Sequence, residues 1–238
     1  MMARSLSPQS ARGRQAEARR NDLAVLEAAR DVFTAMGADA PIAAVAERAG
    51  VGMGTLYRRY GSKTELLQRL CLLAMEQALA AAEEALGTDD PWAGLAGYIT
   101  AAIELRSGAL ASLAGRIETT DEMRRAAQRG LTCVTEIVAR AHRDGRLRPD
   151  VTAMDISWLI EQFSRRSPVP ADADAERNVR SRLVSIALDG LRAASQAASR
   201  AASPGTVLPG EPPSPVHYVQ RWSRAPDRSQ AAGQCDPM

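Results

Sequence analysis

PIAAVAERAGVGMGTLYRRYGSK, residues Pro41 to Lys63, is the stretch on which the reading of the whole chain turns. Ile42, Val45, Ala46 and Ala49 place apolar groups at helical spacing, Ala49-Gly50-Val51 interrupts the pattern, and Leu56 resumes it beyond the turn. Gly50 has no Cβ to oppose the left-handed conformation that closes one helix before another. Pro41 suits a first helical position, where its missing N–H leaves no bond unmade. Two short helices joined in this way form a helix-turn-helix, whose second helix, about Met53 to Tyr60, enters the major groove of DNA while the first steadies it.

The side chains of that second helix fit the task. Gly52 and Gly54 remove bulk where it begins and let the backbone come close to DNA, while Thr55 offers a methyl and a hydroxyl to base edges. Tyr57, Arg58, Arg59 and Tyr60 combine phenols and guanidinium groups of the kind that bond phosphate and sugar. An arginine also reads guanine through paired bonds to O6 and N7, so Arg58 or Arg59 could specify sequence as well as hold position. Ser62-Lys63-Thr64-Glu65 is a capping box that opens the next helix. Lys63, the only lysine in the chain, stands at that helix N-terminus, where the dipole already favours a phosphate.

From about Arg20 to Leu70 the chain resembles the DNA-binding domain of the TetR family of bacterial transcriptional regulators. The resemblance rests on a helical lead-in from Val25 to Met36, on Gly37, on VAERAGV (Val45 to Val51), on GTLYRRY (Gly54 to Tyr60) and on SKTEL (Ser62 to Leu66). It implies that Met53, Gly54, Thr55 and Arg58 face bases while Tyr57, Arg59, Tyr60 and Lys63 hold phosphates. The chain departs from the family pattern at Gly52 and Met53, where members often carry serine and lysine, and at Pro41, where a threonine often touches phosphate. A weaker phosphate grip follows, and Met53 offers an apolar contact such as one to a thymine methyl.

The 238 residues suffice for one small and one medium domain. Net charge is only +2, but residues 1–20 carry five arginines and one glutamate, whereas residues 66–200 carry 17 basic and 18 acidic side chains. One basic end on a near-neutral body is the pattern expected when that end meets a polyanion. Arg12, Arg14, Arg19 and Arg20 make up this basic stretch, read as a flexible arm that reaches DNA ahead of the first helix, with a solubilising tail as the open alternative. The opening MMARSLSPQS lacks the apolar core of a signal peptide and no run of 18 apolar residues occurs, so a cytoplasmic protein with no membrane partner is expected. Cys71, Cys133 and Cys235 are scattered without ligand spacing, and neither a metal site nor a cofactor is expected.

Beyond Ser62 the pattern is helical to near residue 200. The fold expected is all-α, with about nine helices: a three-helix DNA-binding domain (21–68) after the arm (1–20), a helical ligand-sensing and dimerisation domain (69–200), and a proline-rich tail without a core (201–238). Helices are expected over Lys63 to Leu86, Trp92 to Arg106, Ala109 to Ile117, an element opened by Thr119-x-x-Glu122 and running to His142, Thr152 to Arg165, and Ala175 to Ala198. Ile156, Leu159, Ile160 and Phe163 line one late helix, and Val179, Leu183, Ile186, Ala187, Gly190 and Leu191 line the other. These two are read as a four-helix interface between two copies, as the resemblance implies; packing within one subunit is the alternative. Met75, Trp92, Leu95, Tyr98, Ile99, Ile103, Leu110, Leu113, Ile117, Met123, Leu131, Val134 and Trp158 are the groups from which an effector cavity could be built, and Glu104, Glu118, Gln128 and Gln162 are groups to orient a ligand in it. Ordinary core packing accounts for the same residues.

These readings converge on a dimeric, ligand-responsive repressor that binds a near-palindromic, double-stranded operator and answers to an unknown small molecule. An enzyme is disfavoured because His142 and His217 lie far apart, no phosphate-binding glycine loop occurs outside the helix turn, and helix capping accounts for the acids Glu118, Asp121 and Glu122. A DNA-organising or adaptor protein without a small-molecule signal stays as the alternative.

Overall fold

The computed structural model describes residues 8–165, 173–193, 208–216 and 220. The described residues form eight α-helices and one 3-10 segment: α1 (Pro8–Met36), α2 (Ile42–Ala49), α3 (Met53–Tyr60), α4 (Lys63–Leu86), α5 (Pro91–Glu104), the 3-10 segment (Ser107–Leu113), α6 (Asp121–Arg143), α7 (Ala153–Phe163) and α8 (Ala173–Leu191). No strand occurs among them, only an isolated bridge between Leu147 and Arg192. The all-α class is therefore as the sequence indicates. The chain forms two compact units, Met1–Leu70 and Cys71–Met238.

α1 starts at Pro8, well before the lead-in expected at Val25. Residues 8–24 hold four alanines, four arginines and two glutamines, which favour a helix by propensity, but they lack the apolar stripe that marks one in a sequence. Arg12, Arg14, Arg19 and Arg20 consequently stand on a helix rather than on an extended arm. Residues 1–7 and 221–238 lie outside the described residues, as do His217 and Tyr218 of the tail.

In the first unit, α1 packs on α2 and α2 on α3. Leu26, Phe33, Val45, Leu56 and Leu66 are almost wholly enclosed, and each such burial contributes about 1.5–3 kcal/mol. α2 begins one residue later than Pro41 suggests, with Pro41 as the flanking residue at ψ 137°. It ends at Gly50, whose φ of 65° is left-handed; the Gly50 N–H reaches Glu47 O at 3.1 Å and the Val51 N–H reaches Ala46 O at 3.0 Å. This pair of bonds satisfies carbonyls that the helix end leaves open and fixes the turn into α3.

In the second unit, α5, α6 and α7 pack together, and α8 adds Val184 and Leu191 to the same core. Asp90 caps α5 by accepting the Ala93 N–H at 2.9 Å, and Arg140 donates to the Leu86 carbonyl and, at 2.9 Å, to that of Thr88, which closes the C-terminus of α4. Thr120, not Thr119, caps α6. Thr152 and Asp155 form a complete capping box on α7. The segment expected as a helix from Ala109 is a 3-10 turn entered through Arg106 at φ 53°. α8 stops at Leu191, short of the expected Ala198, because Arg148 N–H donates to Leu191 O and Ala193 N–H to Arg146 O, drawing the chain into the bridge.

Candidate nucleic-acid interface

α3 has eight residues, too few to be stable alone, so the surface it offers is set by what it packs against. Leu56 and Tyr60, one turn apart, are 1% and 6% exposed and form its inner face. Met53, Gly54, Thr55, Tyr57 and Arg58 are exposed on the opposite side. A side chain added at Gly52 or Gly54 would meet nothing of this chain within 4 Å. The space left open there is unused by the fold and is available to a partner's backbone or grooves. Arg58 Nη2 donates to Thr55 Oγ1 at 3.2 Å, which ties two base-contact candidates into one polar unit.

Tyr60 does not present its hydroxyl as the resemblance implies. Its ring lies in the core and its O–H donates to Asp22 Oδ1 on α1 at 2.5 Å. Burial pushes its phenol well above the ordinary range, with the bond to Asp22 and the charge of Asp22 acting in the same direction. Arg59 Nε approaches the same oxygen at 2.6 Å. Thus two of the four residues expected at phosphates are engaged with a carboxylate that sequence reasoning did not single out. Asp22 is 38 residues from Tyr60, and no local spacing announces such a pair.

Lys63 sits at the start of α4 with its Nζ 5.7 Å from the centroid of the Phe33 ring. Burial lowers its pKa from the usual lysine value, and the charge of Asp39 opposes that shift. Ser62 Oγ accepts the Glu65 N–H at 3.1 Å, while the Ser62 N–H turns to Tyr60 O at 2.5 Å, so the return half of the expected box is replaced by a backbone bond. Arg12, Arg14 and Arg19 lie on α1, and their side chains are outside the described residues; Arg20 is exposed.

The effector candidates fall in the second unit. Trp92, Leu95, Tyr98, Ile99, Ile103 and Val134 belong to its buried core, and Leu113, Ile117 and Met123 are also buried. Met75, Leu131 and Trp158 are half-buried and Gln162 is exposed. The neighbour of Gln162, Glu161, is an acid only 2% exposed, and Gly108 lies close against its backbone, an approach that no local spacing in the sequence announces. An open groove of about 460 Å³ lies between α4 and α6, lined by Leu72, Glu76, Glu122, Arg125, Ala126, Gln128 and Arg129, of which Gln128 is an orienting candidate and none is an apolar one.

The interface candidates divide sharply. Ile156, Ile160 and Leu191 are at most 9% exposed in the single chain and serve its own core, which withdraws them from an interface. Leu159, Phe163 and Ala187 are half-buried and Gly190 is exposed. Val179, Leu183 and Ile186 are 58%, 43% and 58% exposed and form an apolar stripe along α8. Among the described residues no group of three or more metal-ligating side chains occurs, and no helix is long and apolar enough to cross a membrane.

A helix-turn-helix with an open, arginine-bearing recognition face, followed by a larger helical unit, defines a DNA-binding transcriptional regulator. Residues 25–70 match the model of bacterial regulatory proteins of the tetR family, and residues 90–193 match that of the SbtR-like transcriptional regulator C-terminal domain. The chain belongs to the TetR family. A TetR transcription regulatory protein from Mycobacterium vanbaalenii is similar at 28% identity, over 75% of this chain and 99% of that one, with a TM-score of 0.52. A TetR transcriptional regulator from Streptomyces coelicolor shares the fold at 24% identity, over 73% of this chain and 99% of that one, with a TM-score of 0.51. No curated protein matches the chain. Family and structural neighbours alike are transcription regulators rather than enzymes.

Proposed function

We propose that this protein is a ligand-responsive repressor that binds a near-palindromic operator as a homodimer. The observation that carries the reading is the outer face of α3, where Met53, Gly54, Thr55, Tyr57 and Arg58 are exposed together on a helix whose inner face is locked by Leu56 and Tyr60. Met53, Thr55 and Arg58 take the base edges, Gly54 admits the backbone, and Tyr57 and Lys63 take phosphates. The exposed stripe Val179, Leu183 and Ile186 supports dimerisation through α8, since a two-fold axis there would need only one self-complementary apolar patch. Two recognition helices so paired would meet half-sites roughly 34 to 36 Å apart.

Control by an effector is a linkage: a ligand favouring a body shape that misplaces the recognition helices weakens operator binding, and the operator weakens ligand binding by the same factor. A coupling of about 1–3 kcal/mol gives a response of roughly 5- to 150-fold. Selection of binding sites from random DNA tests the reading. A short near-palindrome with half-sites one turn apart is the expected result, and uniform, length-dependent coverage would replace it with the DNA-organising alternative.

A further inference from the structure

Asp22 is an acid placed beside a helix whose partner is a polyanion, and that position needs a physical account. Its Oδ1 accepts the Tyr60 hydroxyl at 2.5 Å and lies 2.6 Å from Arg59 Nε, so the last turn of α3 is fastened to α1 at a single oxygen. The side chains of Asp22 and Arg59 are only 26% and 32% exposed, which shields their attraction from solvent more than that of a fully exposed pair. Arg58, by contrast, has no carboxylate partner among the described residues, and its guanidinium donates to the Thr55 hydroxyl. The two neighbouring arginines of α3 are thereby placed in different electrostatic states.

From this geometry we infer that Asp22 is a specificity-determining positioning residue, which holds Arg59 away from phosphate and leaves Arg58 as the guanidinium of α3 that meets DNA. The inference rests on the DNA-binding reading above. An arginine free to swing reaches a phosphate in many of the loosely docked arrangements open on unrelated DNA but in few of those that base contacts allow at the specific site, so its contact adds affinity mainly where no base information is read. Pairing Arg59 with Asp22 removes that indiscriminate term, and the bond from Tyr60 fixes the angle at which Met53, Thr55 and Arg58 are presented. Asp22 thus lowers non-specific affinity more than specific affinity.

The test compares the salt dependence of binding for the full-length protein on its selected site and on an unrelated duplex of equal length. Asp22→Asn keeps an acceptor for the Tyr60 hydroxyl and nearly the same shape, but loses the charge that holds Arg59. The expected result is a slope of log Kobs against log salt that steepens by about 0.9 for each chain bound, with non-specific affinity at low salt rising more than specific affinity. The double variant Asp22→Asn with Arg59→Ala should return the slope to the wild-type value, which a general loosening of α3 would not do. A single-variant slope equal to wild type, or a steepened slope that persists without Arg59, overturns the inference while leaving the regulator reading intact. Failure of the wild-type protein to prefer any sequence would instead remove the regulator reading, and this inference with it.

Discussion

Gly108 lies so close to α7 that a Cβ built on it would stand 2.4 Å from the Cα of Glu161. The N–H of Gly108 also donates to Ser164 Oγ at 3.3 Å, and that hydroxyl donates onward to Ile160 O at 2.7 Å in a site with no exposure. The 3-10 segment is therefore seated directly on the backbone of α7. Backbone cannot yield as a flexible side chain can, so Gly108→Ala must separate the two elements.

The expected cost is about 1–3 kcal/mol, the usual range for overpacking, at the upper end because the obstacle is main chain. Gly97 supplies the control. It is exposed within α5, and a Cβ there meets nothing within 4 Å, so Gly97→Ala should stabilise the helix by roughly 0.5–1 kcal/mol. Urea unfolding of both variants reads the two signs directly, and an equal midpoint for the pair would show that the contact at Glu161 has no consequence.

Helix caps give a second, finer test. Thr120→Ala and Thr152→Ala should each cost about 1 kcal/mol, with Thr152 the larger because it both accepts the Asp155 N–H and engages the Asp155 carboxylate. Thr119→Ala should cost less than Thr120→Ala. Thermal melts of the three variants would expose a reversed order, which would return the start of α6 to the position that Thr119-x-x-Glu122 suggests.

The α6 case shows what a sequence makes legible. Caps at Ser62, Asp90 and Thr152 are visible because donor and acceptor are three residues apart, whereas at Thr119-Thr120 two equivalent residues precede two acids and spacing alone cannot choose. Gly50 was legible for a similar reason, since a left-handed turn between two apolar patterns has few other occupants. The first turns of α1 were hidden because they have propensity without an apolar face. The Asp22–Tyr60 pair, the seat of Gly108 on Glu161 and the early end of α8 at Leu191 all join residues tens of positions apart, so only the folded chain displays them. The apolar faces of α7 and α8 are legible from a period of 3.6, but that period does not tell which side meets the chain's own core.

Acid should act through Asp90. Hydrogen bonds from Arg146, and then the Ala93 N–H that Asp90 caps, lower its carboxyl to about 2 from an ordinary value of about 3.9. A lowered folded-state pKa means the stabilisation is fully present above the unfolded value and disappears as pH falls through the folded one. Asp90→Asn preserves the cap but not the charge pair. The difference in urea midpoint between wild type and Asp90→Asn should therefore be constant above about pH 5 and shrink from pH 4 towards pH 2. A difference that does not change with pH would remove the charge from the account of this corner.

Assembly is tested on α8. Leu183→Glu and Ile186→Arg each place a charge on the exposed stripe, where neither side chain contributes to the buried core of its own chain. If two copies join there, an unpaired charge buried in the contact costs several kcal/mol, and the protein should become monomeric at micromolar concentration with its helical content unchanged. Light scattering with circular dichroism separates the possibilities. Dimers that persist in both variants would place the two-fold contact on another surface.

Arg58 and Lys63 should fail in different ways. Arg58 projects from the last turn of α3, tied to Thr55 and clear of any carboxylate among the described residues, so Arg58→Ala should cost about 1–3 kcal/mol at one base pair of each half-site and relax preference there. Lys63 stands at a helix N-terminus with its ammonium over the Phe33 ring, a position that offers charge but no base edge. Lys63→Ala should weaken all sequences alike and reduce the salt slope by about 0.9 per chain. Binding measured on the selected site, on single-base variants of it and on unrelated DNA distinguishes the roles, because a base reader changes the ranking of sites and a phosphate contact does not. If Lys63→Ala reorders the sites while Arg58→Ala leaves their order intact, base recognition belongs to the start of α4 and the groove-facing assignment of α3 must be redrawn.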